Sequence, residues 1–245
     1  MNQTTSFHSV RSLVRYVDED RSVIEAAIVL SHVEWMEHQP VEIHFSLTGP
    51  KGRRFSHQCP LELVGDEAMV RFEIDHPHRW WPAGMGEQDL YELALTLLVG
   101  DQSVDRWATT LGMTSVRTLS DHDETSLLVN GRKFDIDEVI TIGRDDEDSL
   151  LPVAGDTLLL VQDHFGPDRL YNAADRAGIL LVQSIPTTPQ RVSKVRVRRE
   201  IDRLSSHPSL AGWHVGASKT SDRVVQRVHA LDPTRRVFRR LPRRS

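Results

Sequence analysis

The residues able to do chemistry in this chain of 245 residues gather in its second half, each beside a short apolar run. Asp163 and His164 follow Leu158-Leu159-Leu160-Val161, Gln183 follows Leu180-Leu181-Val182, and Trp213 and His214 lie within the run from Leu210 to Val215. A histidine supplies an acid, a base or a ligand nitrogen, and an amide orients a polar substrate through paired donors and an acceptor. If the apolar runs are parallel strands, these side chains stand at or near carboxyl strand ends, the face on which α/β barrels build their sites. His164, Gln183, Trp213 and His214 are therefore the candidate substrate contacts. The competing reading makes Trp213 a core residue and the histidines capping or surface groups. Asp163, His164, His207 and His214 are conceivable metal ligands, but they lack any recognisable local spacing, so neither a metal nor another cofactor is expected.

The elements that must position these residues are legible from periodicity. Up to about residue 118, apolar residues recur at every second position, as in Ile24-Ala26-Ile28-Leu30, Val41-Ile43-Phe45-Leu47, Val70-Phe72-Ile74 and Tyr91-Leu93-Leu95-Leu97. Period two means half-buried strands. Gly49-Pro50-Lys51-Gly52, Gly65-Asp66 and Gly100-Asp101 supply turn chemistry between them. About seven short strands in ~110 residues predict a β-sandwich. After about residue 120, compact apolar runs alternate with helical spacing. Pro167 and Asp168 open a helix carrying Leu170, Ala173, Ala174 and Ala177, which Gly178 ends. Val192, Val195, Ile201 and Leu204 mark a second, basic helix. Thr220 or Ser221 caps a third, bearing Val224, Val225, Val228 and Leu231. Strand and helix in alternation imply a parallel sheet.

Composition narrows the function classes. A net charge of −5 argues against a general nucleic-acid partner. Two charge clusters remain: acids at Asp135, Asp137, Glu138, Asp145, Asp146, Glu147 and Asp148, and arginines at 235, 236, 239, 240, 243 and 244. Both read as solvated loops or tails, without interleaved aromatics or calcium-loop spacing. No apolar stretch approaches the ~18 residues of a membrane helix, so no membrane partner is expected. The start of the chain lacks a signal-type apolar run, and the single cysteine, Cys59, suits a small core position in a reducing compartment, so a cytoplasmic location is expected.

Three motifs in order resemble glycoside hydrolase family two, the β-galactosidases, β-glucuronidases and above all β-mannosidases. Trp80 to Leu93, WWPAGMGEQDLYEL, is similar to a segment near the end of that family's immunoglobulin-like domain. Asn130-Gly131-Arg132 resembles the turn that opens its catalytic barrel. The stretch from His164 to Pro186, with the later HPSLAGWHVG and ALDPTRRVF, resembles its early barrel strands and helices. The resemblance implies an immunoglobulin-like β-sandwich (1–118), half of a TIM-type (β/α)8 barrel containing strands one to four (119–238), and a basic tail (239–245).

A retaining glycosidase needs two carboxylates about 5 to 5.5 Å apart, one nucleophile and one acid/base. The resemblance puts the acid/base glutamate at Ser218 and the asparagine before it at Ala217. A serine hydroxyl has no comparable proton chemistry near neutral pH. The family's nucleophile belongs to a later strand of a barrel that needs about 250 residues, roughly twice the length remaining after residue 120. The family's Trp-Gln-Asp has become Val182-Gln183-Ser184, and the arginine before its His-Tyr-Pro is not evident around His164. The expectation is a degenerate, non-catalytic relative acting as a scaffold or as a carbohydrate- or protein-binding module. The alternative is a glycosidase made active by a partner chain or replacement carboxylates. A half-barrel leaves two sheet edges open, so a second copy or companion chain is expected to cover them.

Overall fold

The computed structural model describes residues 5–33, 39–118, 126–144, 157–186, 193–216 and 221–241. Its first part is two antiparallel sheets facing one another. One contains β1 (Ser6–Val17), β2 (Arg21–Ser31) and β5 (Glu67–Asp75) in the order β1-β2-β5. The other contains β3 (Val41–Thr48), β4 (Arg54–Pro60), β6 (Tyr91–Val99) and β7 (Gln102–Leu111) in the order β4-β3-β6-β7. The period-two residues form the core between the sheets: Ile24, Ile28, Ile43, Leu47, Leu95 and Leu97 are almost wholly shielded, and Phe45 stacks on Phe72 at 3.9 Å. Gly65 and Gly100 occupy the left-handed region at φ 69° and 58°, as the turn sequences require. Cys59 is half-buried against this core, where burial pushes its thiol pKa up rather than activating it.

A small antiparallel sheet comes next: β8 (Val116–Thr118), β9 (Ser126–Val129) and β10 (Arg132–Asp135), in the order β10-β9-β8. Asn130 and Gly131, both with positive φ, make the β9–β10 turn. β8 ends at residue 118 yet pairs with β9, not with the sandwich strands.

The last sheet is wholly parallel. It runs β11 (Glu138–Ile142), β12 (Thr157–Val161), β13 (Leu180–Ser184), β14 (Leu210–His214) and β15 (Arg236–Phe238), with α1 (Asp168–Ala177), α2 (Lys194–Leu204) and α3 (Ser221–Leu231) in the connections from β12 to β15. Every residue of β12 and β13 is buried, because helices cover one face and the β8–β10 sheet packs against the other.

Three details differ from the sequence reading. Among the described residues there are five parallel strands, not four: Arg236-Val237-Phe238 is too short and too closely flanked by arginines to show an apolar run, but Phe238 is buried against Gly212. Arg235 and Arg236 therefore do not belong to a solvated tail, and Arg235 is only 4% exposed. Val195 is 77% exposed, because the Ser193 hydroxyl accepts from the Arg196 amide and fixes a helix phase in which Val197, Ile201 and Leu204 face inward. Val192 and Thr220 lie outside the described residues.

Gly178 ends α1 in the left-handed region at φ 72°, and a methyl group there would lie 2.5 Å from the amide nitrogen of Ala83. Gly131 has φ 81°, with nothing within 4 Å of where a methyl group would stand. Gly131→Ala is expected to cost about 1 kcal/mol of conformational strain, and Gly178→Ala at least ~2 kcal/mol, since strain and backbone collision combine. Guanidinium unfolding midpoints of the two variants check this; equal losses would refute the collision.

Candidate functional site

The alternation of side chains across the parallel strands decides which candidates face a ligand. Leu158, Leu160, Leu180 and Val182 point toward the β8–β10 side, whereas Leu159, Val161 and Leu181 point toward the helices. Continuing the period places Gln162 and Ser184 on the inner rim and Gln183 on the helix side. In β14 the register against β13 slips, with Leu181 opposite Leu210 and Val182 opposite Gly212, so that Ala211 is the extra residue. Past this bulge, Trp213 packs among the helix-side residues and His214 turns to the inner rim.

Each candidate then has a definite environment. Trp213 is fully buried and its indole N–H donates to Asp232 Oδ2 at 2.8 Å, so its ring offers no face to a ligand. Gln183 is fully buried as well. Its Nε2 donates to the carbonyls of His164 (2.7 Å) and Ser184 (2.6 Å), while Oε1 accepts from Tyr171 O–H (2.5 Å) and the Gly166 amide (3.2 Å). Both donors and the acceptor are occupied in clamping the turn after β12 onto β13. His164 is buried with Nδ1 2.8 Å from the Gln162 carbonyl. His214 is half-buried, with Nδ1 3.3 Å from Ser184 Oγ, and burial lowers its pKa, favouring neutral imidazole.

Asp163, exposed and held at φ 63°, is the one carboxylate just past the carboxyl end of any of the five strands among the described residues. Ala217 and Ser218 lie outside those residues, as do Asp145 to Asp148. Among the described residues no group of three or more His, Cys, Asp or Glu side chains is arranged to hold a metal ion. The rim as described offers a neutral imidazole, a hydroxyl and an exposed carboxylate.

The motif residues instead build the joint between the sandwich and the parallel sheet. Asp175, 1% exposed on α1, accepts from His207 Nδ1 at 2.6 Å through one oxygen and from the Ser209 amide (3.1 Å) and hydroxyl (2.5 Å) through the other. Its carbonyl accepts the indole N–H of Trp80 at 2.7 Å. Ala83 donates to the Gly178 carbonyl, and Asn130 Nδ2 donates to the Trp80 carbonyl. Arg235, buried behind the same loop, donates to the Leu210 carbonyl; desolvation lowers its pKa, opposed by the nearby Asp232 and Asp175 charges. Periodicity reads Asp175 and Asp232 as ordinary helix-end residues, since nothing local distinguishes a buried carboxylate from an exposed one. A cleft of about 1150 Å³ lies between β1, β7, α1 and α2, but none of the four candidates lines it. Its charged walls are largely paired, as in Arg11–Asp202, Arg198–Glu67 and Arg203–Asp168, which makes it a seam of the same joint.

The same order of motifs appears in known proteins. Residues 15–113 match the model of the glycosyl hydrolases family 2. The chain is 27% identical over 187 residues to an exo-beta-D-glucosaminidase of Amycolatopsis orientalis, covering 62% of this chain and 18% of that protein. It is 25% identical over 228 residues to beta-mannosidase B of Thermothelomyces thermophilus, covering 79% and 26%. The chain is a relative of the family-2 glycosyl hydrolases. In length it spans about a fifth to a quarter of these curated relatives. Its fold follows 95% of the chain onto 36% of a family-2 member from Bacteroides cellulosilyticus (TM-score 0.74, 18% identity). It follows 96% onto 34% of a beta-D-mannosidase from Dictyoglomus thermophilum (TM-score 0.74, 20% identity).

Two outcomes test this geometry. Asp175→Ala leaves three buried donors without an acceptor and is expected to cost ~3 kcal/mol or more, read as a lower guanidinium midpoint. A loss below about 1 kcal/mol, the worth of one ordinary hydrogen bond, would contradict the hub. His214 has a depressed folded pKa, so its stabilising contribution is complete above the unfolded value of about 6.5 and is lost as pH falls through the folded one. His214→Gln is expected to flatten the decline in urea midpoint below about pH 6.5. An unchanged slope would show that His214 titrates alike in both states.

Proposed function

We propose that this family-2 glycosyl hydrolase relative lacks hydrolytic chemistry of its own and works as a scaffold or as a protein- or carbohydrate-binding module. In this reading the parallel sheet corresponds to the early strands of a (β/α)8 barrel, with the division from the sandwich near residue 118 and β8 contributed across it. What carries the reading is the serine at position 218, where the resemblance to the family's motif sets the acid/base glutamate. Ser184 in place of the motif's aspartate supports it, because the inner rim then loses a second carboxylate. General acid catalysis of glycoside cleavage needs a carboxyl group of tuned pKa beside the leaving oxygen, and a hydroxyl does not replace it.

Of the two module roles, protein scaffolding is the better supported. Sugar platforms rest on exposed aromatic faces, whereas Trp213 is enclosed and hydrogen-bonded to Asp232. A second reading keeps the chain a glycosidase that acts with a partner chain, with Asp163 as the replacement carboxylate; the exposure of Asp163 beside β12 favours it.

The test is an assay of the folded, purified chain against aryl β-mannosides, β-glucosaminides, β-galactosides and β-glucuronides, beside Ser218→Glu and Asp163→Asn. No turnover by the unmodified chain is expected. Hydrolysis that Asp163→Asn abolishes would overturn the non-catalytic reading and establish the second.

A further inference from the structure

A second cleft, of about 690 Å³, opens where the end of β1, strand β8, the second half of α3 and the start of β15 meet. Its size is that of a small-molecule site. Five of the side chains lining it are basic, Arg15, Arg117, His229, Arg235 and Arg236, and none is acidic. Partly buried Val225 and Val237 give it an apolar wall, which concentrates the field of the cations. The described acids nearby are committed to particular partners. Asp232 and Asp175 balance Arg235, which is buried and donates to the Leu210 and His207 carbonyls and to Thr234 Oγ1. Glu25 lies 3.6 Å from Arg15, but the same oxygen is held by Arg71 at 2.8 Å. Arg117 is exposed and has no ion pair or side-chain hydrogen bond among the described residues.

Like charges gathered around one cleft repel one another unless an anion lies among them. Arginine suits tetrahedral oxyanions in particular, because its planar fork makes two parallel N–H···O bonds to one group. We infer that this cleft binds a ligand through a tetrahedral oxyanion, a phosphate or sulfate ester, with Arg117 and Arg15 as its main donors. The rest of the ligand lies along Val225 and Val237. Arg236, which donates to Thr118 Oγ1, links the two sides of the cleft and adds to its positive potential. The cleft opens at the amino end of β15, away from the carboxyl-end rim where His214 meets Ser184. Anion binding there does not depend on whether the chain hydrolyses glycosides.

The test is titration of the full chain with inorganic phosphate and, separately, inorganic sulfate, at constant ionic strength set with chloride, followed by heat and by backbone amide shifts. Both oxyanions should saturate, the tighter one naming the group, with shifts gathered at residues 115–118 and 233–237. Arg117→Gln should weaken binding about tenfold or more, the loss expected for one charged hydrogen bond. Arg117→Lys, which keeps the charge without the fork, should weaken it less. Asp121, Asp123 and Glu124 follow Thr118 in the sequence and lie outside the described residues. A variant with all three neutral (Asp121→Asn, Asp123→Asn, Glu124→Gln) separates a site open to phosphate from one that the chain fills itself. Shifts that do not saturate, equal binding by Arg117→Gln, or binding that appears only in the triple variant would overturn the inference.

Discussion

A single buried carboxylate organises the joint of this molecule. Asp175 accepts three hydrogen bonds from His207 and Ser209, and the carbonyl of the same residue receives the Trp80 indole. Burying such a group is costly unless its oxygens are satisfied. The loop before β14, the end of α1 and the tryptophan segment of the sandwich must therefore assemble together. Trp80, fully enclosed at this junction, adds about 2–3 kcal/mol through burial of its ring. Gly112 sits where a side chain would collide with Pro208 and Trp80, so the surfaces meet at backbone distance.

This arrangement gives the motif residues a structural task at the joint. The tryptophan segment, the Asn130-Gly131 turn, the His-Pro-Ser loop and the Asp-Pro-Thr-Arg turn are connected by hydrogen bonds to one another or to their neighbours in the joint. They hold sandwich and sheet together whatever the rim does. Ser184, by contrast, meets His214 on the inner rim, away from the joint. Fold and site are separable in this way because function resides in a few rim side chains.

The rim itself depends on one irregularity. If β14 alternated regularly from Leu210 onward, without the bulge at Ala211, Trp213 would point inward and His214 toward the helices. With it, the indole is locked to Asp232 at the end of α3, and the imidazole meets Ser184. A bulge of one residue thus converts an aromatic rim into a polar one and ties α3 to the sheet.

Residue order alone is enough for the sandwich strands, the parallel character of the second sheet and the ends of α1, because alternation, helical spacing and a left-handed glycine act over a few neighbouring residues. The expectation that Ser218 stands at the motif's acid/base position likewise needs only residue type. Long-range packing, by contrast, makes Gln183 a satisfied clamp, assigns Trp213 to the helix-side core, buries Arg235 and turns Arg236 to Phe238 into a strand. Those outcomes depend on partners far away in the chain: Tyr171 for Gln183, Asp232 for Trp213, and Gly212 for Phe238. Local pattern carries no record of which distant surface will supply the missing hydrogen bond or the room for a ring.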